Sequence, residues 1–212
     1  MSKDTRYFMP FIKELNPKVI FEFGTYDGED ALQYRNEFPD ADIYCFEPDP
    51  VLYTNALHTF EKSRIKLFDY AISNRVGKLK FYPTVIYQKG IPGPSGSLLK
   101  HTEYHIKEQV GLQTYYETIF VDTVSISEFC KVGCIKTIDY MHIDVEGATA
   151  AVLYGFGNIR PKLIRAEVFD RDVLFEGAPT KKECDEVFFN MGYTILYENY
   201  GNSADVLYKL SE

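Results

Sequence analysis

Short apolar runs alternate along this chain with segments of helical spacing, and most of the runs end at a glycine or an acid. Thr5 to Leu15 sets Phe8, Phe11, Ile12 and Leu15 on one helical stripe. Asn16-Pro17 ends it, because the residue before a proline avoids the helical region. Lys18 to Phe23 is a first strand, followed by a helix from Gly28 to Phe38 that Pro39 stops. Ala41 to Phe46 is a second strand, and a helix from about Val51 to Glu61 follows it. Ile65 to Phe68 is a third strand. This order of elements is that of a parallel sheet with right-handed crossovers.

Lys78 to Pro83 alternates as a strand does, and Tyr116 to Val124 alternates again and is expected to return to the sheet. Between them, the proline and glycine density of Lys89 to Ser97 argues against regular structure, and one short helix is expected around His101 to Gln109. We read 84–116 as an insertion that acts as a lid, because it carries apolar and aromatic residues. Ser125 or Ser127 caps a short helix over Glu128 to Lys131. Thr137 to Asp144 and Lys162 to Phe169 are the fourth and fifth core strands. A helix from Ala148 to Phe156 lies between them, and another follows from Thr180 to Met191. Tyr193 to Tyr200 and Ala204 to Leu210 then form a hairpin about Gly201-Asn202. The expected fold is α/β and doubly wound: a mostly parallel seven-stranded sheet, helices on both faces, and a C-terminal antiparallel hairpin. One domain over 1–212 holds it all.

Composition narrows the function classes. The length of 212 residues suits one domain with a substantial core. No apolar run approaches the ~20 residues of a membrane span. The first residues lead into no long apolar region, so we expect no secretory signal and a cytoplasmic protein. A net charge of -8 argues against general affinity for nucleic acid. Cys45, Cys130, Cys134 and Cys184 form no Cys-x-x-Cys pair and are expected to be reduced thiols. A homo-oligomer is left open.

In an open parallel sheet, ligands bind at the carboxyl ends of the strands, near the switch in strand order. Each expected core strand delivers an acid there: Glu22, Glu47, Asp69, then Asp144 with Glu146, then Glu167 or Asp170. Glu22-Phe23-Gly24-Thr25-Tyr26-Asp27-Gly28 joins the first strand to its helix, and its glycines let the backbone turn tightly beside a ligand. Glu47 lies 23 residues after Gly24, close to the ~20 expected for an acid that binds a ribose diol. Such a carboxylate repels a 2′-phosphate, which leaves an NAD-type dinucleotide or S-adenosylmethionine. The middle glycine of Gly-x-Gly-x-x-Gly is missing, and Glu22 and Asp27 add negative charge where a pyrophosphate would lie. The ammonium and sulfonium of S-adenosylmethionine are favoured by the same acids.

The chain resembles class I S-adenosylmethionine-dependent methyltransferases, specifically the FkbM family. The pieces that carry the resemblance are Val19 to Gly28, Cys45-Phe46-Glu47-Pro48-Asp49-Pro50, Ala71-Ile72-Ser73-Asn74, Gly96-Ser97-Leu98 and His142-Ile143-Asp144-Val145-Glu146-Gly147-Ala148. Glu22, Thr25 and His142 depart from the residues more usual in the family. The resemblance implies a Rossmann-like fold and S-adenosylmethionine as cofactor. It implies that Glu47, beside Pro48, holds the ribose hydroxyls. Gly24, Thr25, Tyr26, Asp27 and Gly28 would wrap the methionine part, with Glu22 nearby. Asp69, Tyr70 and Ala71 would meet the adenine, and Asp144 the methionine ammonium or the transferring methyl.

Methyl transfer to a hydroxyl needs a base. His142, Asp144 and Glu146 lie two apart and share a face if the strand stays extended. Asp144 or Glu146 is the candidate base; His142 is either its hydrogen-bond partner or a core histidine. His101, Tyr104 and Glu167 are candidate contacts of the acceptor. No metal is expected, since His101 and His105 lack the His-Glu-x-x-His pattern. The expected function is O-methylation of a small polar metabolite such as a sugar or glycan precursor. An NAD-dependent oxidoreductase and a non-catalytic nucleoside-binding module are the alternatives.

Overall fold

A computed structural model describes residues 5–86, 89–108, 113–115, 117–169, 174–200 and 204–211. Seven strands make the main sheet: β1 (Val19–Phe23), β2 (Asp42–Phe46), β3 (Lys66–Phe68), β10 (Tyr140–Ile143), β11 (Leu163–Val168), β12 (Tyr193–Tyr200) and β13 (Ala204–Leu210). Their order is β12-β13-β11-β10-β1-β2-β3, and β13 runs antiparallel to both neighbours. The expected sheet and C-terminal hairpin are therefore present; the Gly201-Asn202 turn lies outside the described residues.

The core strands are apolar on both sides because both sides are covered. Phe21, Phe23, Met141, Ile143, Ile164 and Ala166 pack towards α5 (Ile126–Val132), α6 (Thr149–Tyr154) and α7 (Lys181–Asn190). Ile20, Ile43, Cys45, Tyr140, Leu163 and Leu207 pack towards α1 (Thr5–Leu15), α2 (Glu29–Glu37) and α3 (Pro50–Phe60). Helix starts follow their caps. Asp49 accepts from the Val51 and Leu52 amides, and Thr180 with Glu183 forms a complete capping box.

One row across the second face is polar. Glu22, His142 and Arg165 are register neighbours on β1, β10 and β11, and all three are buried. The Arg165 Nε donates to Asp205 Oδ1 at 2.7 Å, and its Nη1 donates to Thr5 Oγ1 at 2.8 Å. The guanidinium also lies over the Phe8 ring, so a buried charge is met by acid, hydroxyl and aromatic face together.

Two expectations about the middle of the chain need correction. The expected strand over Tyr116 to Val124, seen as β9 (Ile119–Val124), does not return to the main sheet. It pairs with β4 (Ala71–Ile72) and β5 (Gly77–Phe81) in a separate three-stranded sheet. The physical reason is its alternation: Val121 and Thr123 are buried while Phe120 and Asp122 are exposed. A strand with one wet face does not fit a sheet covered on both sides. Second, Lys89 to Ser97 is not wholly irregular. Ile91 and Pro92 form β7 (Ile91–Pro92), which pairs with β6 (Thr84–Ile86), and Ser97 bridges to Tyr82. Pro92 fits because it ends the short strand, where the ladder does not need its missing N–H. β6 also pairs with β8 (Gln113–Tyr115), and the short α4 (Glu103–Glu108) lies where a helix was expected. Gln109 and Tyr116, the ends of the expected elements, lie outside the described residues.

Candidate functional site

Strand order reverses between β1 and β10. The two strand ends meet there: the Asp144 amide donates to the Phe23 carbonyl at 3.0 Å, and the Gly24 and Thr25 amides donate to the Phe46 carbonyl of β2. Gly24 has φ +80, and a Cβ on it would come within 1.8 Å of the Asp144 carbonyl oxygen. The sequence reading assigned this glycine to close approach of a ligand. Its nearest neighbour is instead the backbone of the fourth core strand's end, so Gly24 lets the two strand ends touch. Gly28 has a packing reason of its own, because a Cβ there would press on the Phe60 ring of α3 at 2.6 Å.

A cleft opens at this switch, where ligands of open parallel sheets bind. Of the residues expected to hold the cofactor, Gly24, Tyr26, Glu47, Pro48, Tyr70, Ala71 and Asp144 line it, and so does Glu146, a candidate base. Glu47 is buried, and both its oxygens are gripped by backbone: Oε2 accepts from the Tyr26 amide and Oε1 from the Asp49 amide, each at 2.9 Å. Burial nevertheless pushes its carboxyl up to about 7. Each oxygen keeps a lone pair for a hydroxyl donor.

Other expected cofactor residues stand outside the wall. Asp27 is exposed and accepts from the Glu29 amide at the start of α2. Thr25 is buried behind the loop, and Asp69 is exposed. Glu22 is buried beneath the cleft, where burial, Asp30 and Asp144 raise its pKa well above the ordinary value. That makes a signed prediction. Above about pH 4.5 the unfolded chain releases this proton and the native protein does not, so stability is lost as pH rises from there towards the folded pKa. Glu22→Gln removes that loss. Thermal melts of the variant should match the wild type near pH 4 and show the higher midpoint at pH 8.

The acids past β10 and β11 form a cluster. Asp144, Glu146 and Glu167 each offer a carboxylate oxygen, and the three lie within 4.8 Å of one another. The Thr149 hydroxyl at the start of α6 donates to the Glu167 carbonyl at 3.0 Å. Burial raises the Asp144 carboxyl, and burial with the Asp144 charge raises Glu146, to about 8. The expected extended geometry stops at Asp144. Glu146 has φ +50, which turns the chain, yet brings its carboxylate back to that of Asp144. This all-oxygen set suits acceptor hydroxyls; it is also the donor type that hard cations use.

His142 is elsewhere. Its Nδ1 faces the Tyr34 hydroxyl at 3.5 Å, and its ring is buried in the polar row with Arg165. Burial and the Arg165 charge lower its pKa to about 3, so it is neutral at physiological pH. It does not line the cleft. His101 and His105 stack on each other and on Phe175, with Nδ1 atoms 3.1 Å apart, and are buried; Tyr104 is 52% exposed. None of the three lines the cleft.

The sequence reading gave no role to the apolar wall (Phe23, Phe46, Leu52, Ile72 and Phe81) or to Pro94, Gly96, Ser97 and Leu98 of the insertion. The strand-end phenylalanines were readable as core only. Gly96-Ser97-Leu98 carried a signal, since it is one of the pieces of the family resemblance. A second, more open cleft lies at the other end of β11, between α1 and the hairpin, away from these acids.

With this geometry in place, known proteins give the comparison. The family described as the methyltransferase FkbM domain matches residues 22–195. The 2-O-methyltransferase NoeI of Sinorhizobium fredii is 27% identical over 175 residues, which cover 81% of this chain and 71% of that protein. Among solved structures, the SAH-bound methyltransferase PaMTH1 of Podospora anserina superposes with a TM-score of 0.55 at 13% identity, covering all of this chain and 80% of that one. Aeropyrum pernix fibrillarin with natively bound S-adenosyl-L-methionine gives 0.52 at 12% identity, covering 90% of this chain and 66% of that one. At these identities the structures speak for the fold.

Proposed function

The chain belongs to the FkbM methyltransferase family, whose methyl donor is S-adenosylmethionine, and from that premise we propose that it methylates a hydroxyl of a small polar metabolite, a sugar or glycan precursor. The observation that carries the reading is the two-ended cleft: Glu47 on the β2 side and the Asp144 and Glu146 carboxylates past β10, with the Glu167 carboxylate beside them though not in the cleft wall. The 2-O-methyltransferase named among its relatives supports an oxygen acceptor.

The residues fit the cofactor. Glu47, with both oxygens fixed by backbone amides, has lone pairs for a ribose diol. Tyr70, Ala71 and the apolar wall suit an adenine, and Asp144 suits an ammonium. When bound, S-adenosylmethionine supplies an electrophilic methyl group. The protein aligns the acceptor with it, which can carry much of the rate. Glu146 or Asp144 takes the acceptor's proton, and Glu167 orients a hydroxyl.

Calorimetric titration tests the cofactor half. Saturable binding of S-adenosylmethionine and none of NAD is expected, with Glu47→Ala weakening the first by about 1–3 kcal/mol. The wild-type affinity should also rise between pH 6 and pH 8, because the ionised carboxylate is the better acceptor of ribose hydroxyls and Glu47 titrates at about 7. NAD binding alone would sink the reading in favour of a redox enzyme. Transfer of labelled methyl to a panel of monosaccharides tests the acceptor half.

A further inference from the structure

The turn that carries Glu146 is held in an unfavourable shape. Glu146 has φ +50 and Gly147 has φ +84, two left-handed residues in succession, the first of them not a glycine. A non-glycine residue there costs energy and persists only where its surroundings fix it. The surroundings come from the insertion, 49 residues earlier in the chain. The Ser97 hydroxyl donates to the Glu146 carbonyl at 2.6 Å and accepts from the Leu99 amide at 3.0 Å. That second bond occupies a lone pair and fixes which way the hydroxyl proton points.

The gripping segment is itself anchored. Ser97 exchanges two backbone bonds with Tyr82, at the end of β5, and the Gly93 amide donates to the Thr84 carbonyl. Gly96 lies against the Phe81 ring so closely that a Cβ would come within 2.7 Å. Ser97 itself is buried to 1% exposure. From the far side, Phe175 packs on Gly147, where a Cβ would meet it at 2.8 Å.

We propose that Ser97 is a positioning residue that grips the Glu146 carbonyl, so that the insertion holds the left-handed turn and with it the direction of the Glu146 carboxylate in the acceptor site. This rests on the methyl-transfer reading for its purpose, and on the hydrogen bonds alone for its geometry.

The test uses the full chain and needs no acceptor. Backbone amides are followed by hydrogen exchange and NMR. Ser97→Ala should speed exchange of the Gly147 amide, the other end of the gripped peptide, by tenfold or more, while the amides within β10 stay within twofold of wild type, and Ser97→Thr should restore the protection. Gly147 exchange within twofold of wild type in Ser97→Ala would overturn the proposal. Calorimetry with S-adenosylmethionine on the wild type reads the function separately. Absent binding there, with the exchange change intact, would support the grip and overturn only the methyl-transfer purpose given to it.

Discussion

Gly24→Ala is expected to abolish cofactor binding and to destabilise the protein by about 2–5 kcal/mol, the sum of a left-handed alanine and an overpacked contact. The added Cβ would come within 1.8 Å of the Asp144 carbonyl oxygen, and both partners are backbone. No side chain can swing aside. Relief requires β1 and β10 to separate at their ends, which would break the Asp144 amide bond to Phe23 and open the floor of the cleft. Gly177→Ala is the control. It shares a positive φ, +74, but has nothing within 4 Å of the added carbon. Its cost should be about 1–2 kcal/mol, from conformation alone. Paired urea melts and calorimetric titrations separate the two terms. Equal costs for the two variants would mean that the strand ends yield easily and that Gly24 is only a turn residue.

That same contact marks where the sequence was legible and where it was not. The core strands could be read because each is a short apolar run closed by glycine, proline or an acid, and the switch between β1 and β10 completes the expected layout. The acids at the strand ends followed from the same pattern, and Glu47, Asp144 and Glu146 lie together at one cleft. What escaped was long-range or locally irregular. The two residues each of β4 and β7 are too short for a periodicity to declare itself. Tyr116 to Val124 showed its alternation plainly, but alternation states only that one face is wet, not which sheet receives the strand. The left-handed turn at Glu146 has no single-sequence signal beyond the glycine after it, so an extended strand was extrapolated one residue too far. Contact between Ser97 and Glu146 is invisible to any local reading. His142 falls in the middle of the buried row because its register partners are Glu22 and Arg165, and pairing of that kind is fixed by the sheet rather than by neighbours in the chain.

Glu146→Gln should lower the methyl-transfer rate by about 10²–10⁴-fold, the usual contribution of a positioned base, with the acceptor found in the monosaccharide panel as substrate. The pH dependence gives the sharper reading. A protonated carboxyl cannot accept the acceptor's proton, and burial together with the Asp144 charge holds Glu146 up at about 8. The wild-type rate should therefore rise with pH through the neutral range and level off only in mildly alkaline solution, and this rise should vanish in Glu146→Gln. Asp144→Asn distinguishes the two candidate bases. If Glu146 is the base, removing the like charge beside it makes ionisation easier, so the rising limb should move to lower pH while a measurable rate survives. If Asp144 is the base, Asp144→Asn should lose the rate at every pH, and Glu146→Gln should keep it with a limb near pH 6 that does not move, since Glu146 is protonated where Asp144 ionises. The behaviour of the surviving limb, more than the size of either loss, identifies which carboxylate takes the proton, because Glu146 ionises beside a charged Asp144 and reports its removal, whereas Asp144 ionises beside a neutral Glu146 and does not.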